Sequence, residues 1–274
     1  MTEAPESLRI DIYDSVAEIV ITGPGKGNAM GPAFWREFPR TFEQLDRDDS
    51  VRAIVVRGST GNFSYGLDLV AMSTEMGPLI TGSPNAKQRA KLLTLIFELQ
   101  KSFNAIAQCP KPVIASISGW CIGGGVDLIS ACDVRVCSKE ARFSVREVKV
   151  AMVADLGSLQ RLPYIIGEGH ARELALTGKN IDAARAERIG LVNEVFPTEI
   201  EAVTGARAIA TEMANNPPRV VEGIKRVMNF RTDAAVAAGL DHVAHHNTAF
   251  LPSEDLAEAF AAFAQKREPK FTGG

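Results

Sequence analysis

Apolar and polar positions change their period several times along this chain, and each change marks an element. From Leu8 to Ile21 they alternate, the period of a half-buried strand, with a break near Asp14 and Ser15, so two strands joined by a turn are predicted. The Gly/Pro-rich TGPGKGNAMG that follows reads as a loop that turns helical at Pro32. Beyond it Phe34, Phe38, Phe42 and Leu45 recur at helical spacing, and Val51 to Arg57 is a continuous apolar run suited to a buried strand. FSYGLDL, Phe63 to Leu69, is a glycine turn after that strand. The segment from Ala71 to Cys109 reads as a loop around TEMGPLITGSPNAKQ, mobile near Gly77 to Pro84, and as a helix from about Arg89 to Ala107; a segment of this length suits a lid or pocket wall.

The stretch from Lys111 to Pro163 organises the rest. Val113 to Ile117 is a β-branched strand candidate, and Gly119, Gly123, Gly124 and Gly125 then remove every Cβ from the turn before a helix predicted over Val126 to Cys132. A strand, a glycine turn and a helix start leave backbone N–H groups free beside the positive end of a helix dipole, which suits an anion. A second reading, glycines that only let helix and strand pack closely, stands beside it. The spacing fits neither the phosphate-binding G-x-x-x-x-G-K-[ST] loop nor G-x-G-x-x-G.

Further along, strands are predicted at Val134 to Cys137 and Leu191 to Phe196, and helices at Leu159 to Ile166, Ala171 to Thr177 and Ala183 to Ile189. From Glu199 the chain is rich in alanine and helix, with a break at Asn215 to Pro218. The expected organisation is therefore an α/β core over residues 1–198 and a helical region over 199–274.

Composition narrows the possible partners. With 46% hydrophobic and 23% charged residues, 274 residues can bury a full core. A net charge of -3 without a basic run gives no electrostatic support for nucleic acid or an anionic membrane. The longest apolar stretch, Val113 to Val136, is interrupted by glycines and by Asp127, Asp133 and Arg135, so no membrane span is expected. The acidic N-terminus MTEAPESLR reads as neither a secretion signal nor a transit peptide. Cys109, Cys121, Cys132 and Cys137 form no C-x-x-C pair. Buried, reduced thiols in a cytoplasmic protein are expected.

Three carboxylates have apolar neighbours: Asp127 after the triple glycine, Glu147 in REVK and Asp155 in MVADLG. A carboxylate in such a setting caps a helix, pairs with a cation or does chemistry. Asp155 before Leu156, Gly157 and Ser158 also reads as an N-cap, Glu147 as an ion-pair partner of Arg146 or Lys149, and Asp133 as a partner of Arg135. His242, His245 and His246 have helical spacing, but no Cys or carboxylate set completes a metal site, and none is expected.

Five motifs in order, NAM at Asn28, FSYGLDL at Phe63, KPVIASISGWCIGGGVDL at Lys111, ACDVR at Ala131 and LGSLQRLP at Leu156, resemble the enoyl-CoA hydratase/isomerase (crotonase) family; the likeness continues through LALTGKNIDAARAERIGLVNEVFP. The resemblance implies a ββα spiral core, a C-terminal helical region that makes trimers or dimers of trimers, and an acyl-CoA thioester substrate with no further cofactor. It also implies that the N–H groups of Leu67 and Gly124 hold the thioester oxygen as an oxyanion hole, with Ala29, Tyr65, Gly66, Asp68 and Gly123 around the substrate. Within the family, Asp127, Glu147 and Asp155 resemble the acid set of the Δ3,5-Δ2,4-dienoyl-CoA isomerases, whose reaction shuttles protons between C2 and C6. The expected base at C2 is Glu147 and the expected acid at C6 is Asp155, with the reverse order open. Alternatives are a 2-trans-enoyl-CoA hydratase using Asp127 and Glu147, or an acyl-CoA binder without turnover. Tyr65, Ala151 and Met152 depart from the family pattern and leave the acyl chain length open. Lys26 and Arg57 are candidate CoA phosphate contacts.

Overall fold

A computed structural model describes residues 5–59 and 61–274. Residues 1–4 of the N-terminal stretch read for targeting lie outside the described residues, as does the side chain of Lys26. Six strands form the main sheet in the order β1 (Leu8–Tyr13), β2 (Val16–Ile21), β3 (Ala53–Gly58), β4 (Val113–Ile117), β6 (Val134–Ser138) and β9 (Glu194–Phe196). Only the β1–β2 hairpin is antiparallel. Its turn puts Asp14 and Ser15 at positive φ, which short polar side chains tolerate. A smaller sheet holds β5 (Trp120–Ile122), β7 (Arg142–Ser144) and β8 (Ile181–Asp182).

The chain passes between the two sheets in ββα steps. β4 leads to β5 and then α4 (Gly124–Ala131), and β6 leads to β7 and then α5 (Ser158–Ile166). After β3, Ser64 makes a parallel bridge to Cys121 of β5 before the chain enters α2 (Leu69–Ile80). The expected spiral core is therefore present. Its short strands were not foreseen, because a three-residue strand is too brief to show a period.

Parallel strands covered on both faces read as near-continuous apolar runs, and β2 and β3 do so apart from Glu18 and Arg57, which pair with each other. One face packs on α1 (Pro32–Arg47) and α3 (Ala86–Gln108), where Phe34, Trp35, Phe38 and Phe103 stack edge to face and face to face. The other face meets α8 (Glu199–Ala214), whose Ala206, Ala210 and Ala214 lie on Val16, Ala53, Val55, Ile114 and Val136. Alanines at every fourth position let the helix come close to the strands.

The loop predicted over residues 74–88 is corrected. Residues 74–80 belong to α2, whose Met72, Met76, Leu79 and Ile80 are buried, and residues 86–88 open α3. Gly77 and Pro78 fall in the last turn of α2, where Pro78 cannot donate to the carbonyl one turn back, and the burial of these four side chains outweighs that cost and the low propensity. Helix α3 starts at Ala86 rather than Arg89 because Asn85 and Gln88 form a reciprocal capping box. The chain continues through α6 (Glu168–Thr177), α7 (Ala183–Arg188), α9 (Pro218–Phe230), α10 (Asp233–Phe250) and α11 (Glu254–Ala264). Among the described residues no helix is long and apolar enough to cross a membrane, and all four cysteines are buried and unpaired.

Candidate active site

The two glycine turns of the sequence lie side by side. The N–H groups of Phe63 and Ser64 donate to Trp120 O, and Ile122 N–H donates to Ser64 O, so the first turn is stitched onto β5. Met30 N–H donates to Gly66 O and Asp68 N–H to Met30 O; on the second turn Gly123 N–H donates to Ser144 O. In each turn a glycine at positive φ, Gly66 at 79° and Gly123 at 54°, precedes the key residue. The N–H groups of these next residues, Leu67 and Gly124, donate to no protein acceptor among the described residues. The turns are in contact: a Cβ on Gly66 would stand 2.7 Å from Gly124 N, and one on Gly124 would stand 3.7 Å from Leu67 N. Gly66 therefore has to lack a side chain.

Three carboxyls surround this pair. Asp127, in the first turn of α4, is 1% exposed, and its Oδ1 accepts the N–H of Ser158 at 2.6 Å. That N–H begins α5, so the N-cap reading of Asp155 is overturned: Asp127 holds the helix end. Glu147 opens a 3-10 turn over Glu147–Val150. Its Oε1 would lie 3.4 Å from a Cβ on Gly123, which puts the carboxyl over the second glycine turn. The expected ion pair of Glu147 does not form: Arg146 donates to Asn180 Oδ1, and Glu147 Oε2 is buried without a hydrogen-bond partner. Asp155 Oδ2 accepts from Asn247 Nδ2 of α10 at 2.7 Å, and its backbone carbonyl accepts from Gln100 Nε2 of α3 at 2.8 Å.

Burial drives the electrostatics of all three. Desolvation raises Asp127 above the usual carboxylate range despite the Ser158 hydrogen bonds and the Arg161 charge. Glu147 is pushed well above its ordinary value by desolvation and then by the charges of Asp127 and Asp155. Desolvation also raises Asp155 to about 7, against the lowering effect of the Asn247 hydrogen bond. Burial and mutual repulsion favour keeping a proton on the Asp127 and Glu147 pair, and Asp155 is raised to about 7. The site thus contains both a proton donor and a proton acceptor.

The remaining sequence candidates fall as follows. Asp68 is occupied in capping α2, accepting from Ala71 N–H at 2.9 Å. Tyr65 lies against Gly27 with 45% of its surface exposed, and Ala29 is half-buried next to Asn28, whose αL backbone is held by its side chain bonding to Asn62 O. Arg57 is not free for a phosphate, because its Nε pairs with buried Glu18 at 2.8 Å. Asp133 pairs with Lys225 at 2.7 Å rather than with Arg135, whose guanidinium donates to the carbonyls of Leu191, Ile129 and Cys132. Among the described residues no three His, Cys, Asp or Glu side chains gather as a metal site. Asn247 and Gln100 were missed. Asn247 continues the buried stripe of Leu240, Val243 and Ala244 at helical spacing, and a polar residue on such a stripe is the signal that could have found it.

Residues 11–274 match the family described as enoyl-CoA hydratase/isomerase. The chain is 43% identical to a protein of Dictyostelium discoideum named mitochondrial Delta(3,5)-Delta(2,4)-dienoyl-CoA isomerase, over 96% of this chain and 90% of that one. It is 41% identical to a peroxisomal protein of the same activity name from Arabidopsis thaliana, over 97% of this chain and 96% of that one. The crystal structure of an enoyl-CoA hydratase/isomerase from Pseudoalteromonas atlantica superposes with a TM-score of 0.85 at 27% identity, covering 97% of this chain and 100% of that one. The names of the two isomerases, mitochondrial and peroxisomal, overturn the expectation of a cytoplasmic protein. Net charge and unpaired cysteines constrain solubility and redox state, and neither encodes a compartment. With matching motifs, matching fold and relatives above 40% identity over nearly its whole length, the chain belongs to the enoyl-CoA hydratase/isomerase family.

Proposed function

We propose that this chain converts a 3,5-dienoyl-CoA into the conjugated 2,4-dienoyl-CoA. The observation that carries the reading is the placement of three carboxyls with raised pKa values, Asp127, Glu147 and Asp155, around the free N–H groups of Leu67 and Gly124. The relatives named as dienoyl-CoA isomerases support the substrate class.

In this reading the thioester oxygen accepts hydrogen bonds from Leu67 and Gly124 N–H, strengthened as negative charge builds on it and by the start of α4. Glu147, which overlies the Gly123 turn beside those donors, removes a proton from C2 in its ionised state, which burial and the neighbouring acids disfavour and so make strongly basic. The electron pair spreads over C2, C4, C6 and the thioester oxygen. Asp155 then delivers its proton to C6, which closes the 2,4-diene. The first transfer leaves Glu147 protonated and the second leaves Asp155 ionised, so the substrate keeps its proton count, and the starting state returns when Glu147 gives up its proton and Asp155 takes one back through solvent. The reading calls for no metal or redox group. Ala29, Tyr65, Gly66, Asp68 and Gly123 line or shape the approach to the donors.

A hydratase would use Asp127 and Glu147 and leave Asp155 idle, and a binding protein without turnover would have no use for three poised acids. The exposed apolar face of α9, with Val220, Ile224, Val227 and Met228, supports assembly with further copies of the chain. The test of function is formation of the absorbing 2,4-dienoyl chromophore from 3,5-dienoyl-CoAs of several lengths. Glu147→Gln and Asp155→Asn are expected to lose at least about a hundredfold in kcat; unchanged rates in both would sink the assignment.

A further inference from the structure

We infer that Asn247, on helix α10, is a positioning residue that fixes which oxygen of Asp155 handles the proton. The inference rests on the proposed role of Asp155 and deepens it. Asn247 is 3% exposed, and its Nδ2 divides its two hydrogens between Asp155 Oδ2 at 2.7 Å and Val153 O at 2.9 Å. The Val153 carbonyl can only accept. The amide must therefore turn its NH₂ group, not its oxygen, toward both partners, and the orientation does not depend on the state of Asp155.

The consequence lies on the carboxyl. With a donor fixed on Oδ2, the proton of the acid form has its place on Oδ1, to which no other side chain among the described residues donates. Gln100 holds the same segment from the other side, its Nε2 donating to Asp155 O at 2.8 Å and to Leu240 O at 3.0 Å. Two amides from α3 and α10 thus clamp residues 153–155 while the reacting oxygen stays free. The titratable groups around Asp155 are Asp127 from α4 and Glu147 from the 3-10 turn; α3 presents Gln100, and on α10 His242 and His246 line a cavity beside Val153. Because the Asn247 hydrogen bond stabilises the ionised form, its loss moves the titration of Asp155 upward.

The experiment is the pH profile of isomerisation for Asn247→Leu and Asn247→Ser, read beside Asp155→Asn. For Asn247→Leu the expected result is a kcat roughly tenfold or more lower, KM within about threefold, and an alkaline limb about one unit higher. Asn247→Ser, which restores a donor, is expected to regain part of the rate and to move the limb back. If Asn247→Leu does not fold, Asn247→Ser alone carries the test, with a limb between that of wild type and one unit above. A wild-type profile and kcat in whichever variant folds, with Asp155→Asn inactive, overturns the role of Asn247 and leaves the reaction standing. Full activity in Asp155→Asn overturns the reading beneath it.

Discussion

Asp127 on α4 and Ser158 on α5 are joined by a hydrogen bond of 2.6 Å from the Ser158 N–H to Asp127 Oδ1. A single carboxyl thus closes the end of one helix while its charge raises the pKa of Glu147 at the glycine turn. Its two duties separate by mutation. Asp127→Asn keeps an oxygen for the Ser158 N–H, whereas Asp127→Ala leaves that buried donor without an acceptor, at about 1–3 kcal/mol. Both remove the partner of Glu147. Urea unfolding is expected to show the alanine variant alone weakened by that amount, with turnover lowered in both. Equal stability of the two variants would remove the capping duty.

The two glycine turns make a contrast within one site. A Cβ on Gly66 would meet Gly124 N at 2.7 Å and Ile122 O at 2.8 Å, both rigid backbone atoms, from a residue already at φ 79°. Gly66→Ala is therefore expected to spread the Leu67 and Gly124 donors and to cost on the order of a hundredfold in kcat, as removal of one oxyanion donor does. A Cβ on Gly123 meets only the end of the Glu147 side chain, at 3.4 Å. Gly123→Ala is expected to act mainly through strain at φ 54° and to keep more of the rate. Steady-state kinetics of the pair decides, and a Gly123→Ala variant slower than Gly66→Ala contradicts the donor geometry.

Asp155 links pH to stability. Its pKa is raised in the folded chain to about 7 from an ordinary 3.8, so protons favour the folded state. The stabilisation is complete below pH 4 and is lost as pH rises toward 7, by up to about 4 kcal/mol at 1.36 kcal/mol per unit. Asp155→Asn lacks this titration. Unfolding free energies measured from pH 4 to 8 are expected to fall more steeply in the wild type than in the variant, with the variant gaining relative stability at pH 8. In the same range kcat/KM of the wild type declines above pH 7 as the acid form disappears.

Much of this could be read in the sequence, and what could not has physical causes. Phe34, Phe38 and Phe42 announce a helix and GGGVDL announces a free backbone donor, because periodicity and missing Cβ atoms are local properties. The three-residue strands β5 and β7 exist only through pairing with distant segments, and no local pattern encodes that. Asp127, Glu147 and Asp155 stand out as acids among apolar neighbours, but their hydrogen-bond partners depend on tertiary structure. The N-cap residue expected for α5 was Asp155, and the group that holds Ser158 comes instead from 31 residues earlier. Gln100 and Asn247 reach Asp155 across 55 and 92 residues of chain.

A last prediction separates architecture from chemistry. Glu18 of β2 is fully buried and accepts from Arg57 Nε at 2.8 Å, Arg207 Nε at 2.7 Å and Arg207 Nη2 at 2.9 Å, which ties α8 to the sheet across its alanine-lined face. Burial raises the pKa of Glu18, and the hydrogen bonds from Arg207 and Arg57 outweigh it to leave the value lowered. Removing one partner of a buried pair leaves the others uncompensated, so Glu18→Ala is expected to cost about 3 kcal/mol; the exposed half of Arg207 keeps the loss at the low end of the usual range. Because the folded pKa lies below the unfolded one, the stabilisation is present above the ordinary glutamate range and fades as pH falls through the folded value. The gap between wild type and Glu18→Ala in urea should therefore be widest at neutral pH and narrow in acid. KM for the CoA substrate should stay within about twofold, since Arg57 is engaged with Glu18 rather than with phosphate. A large rise in KM in Arg57→Ala without a loss of stability would return Arg57 to the substrate.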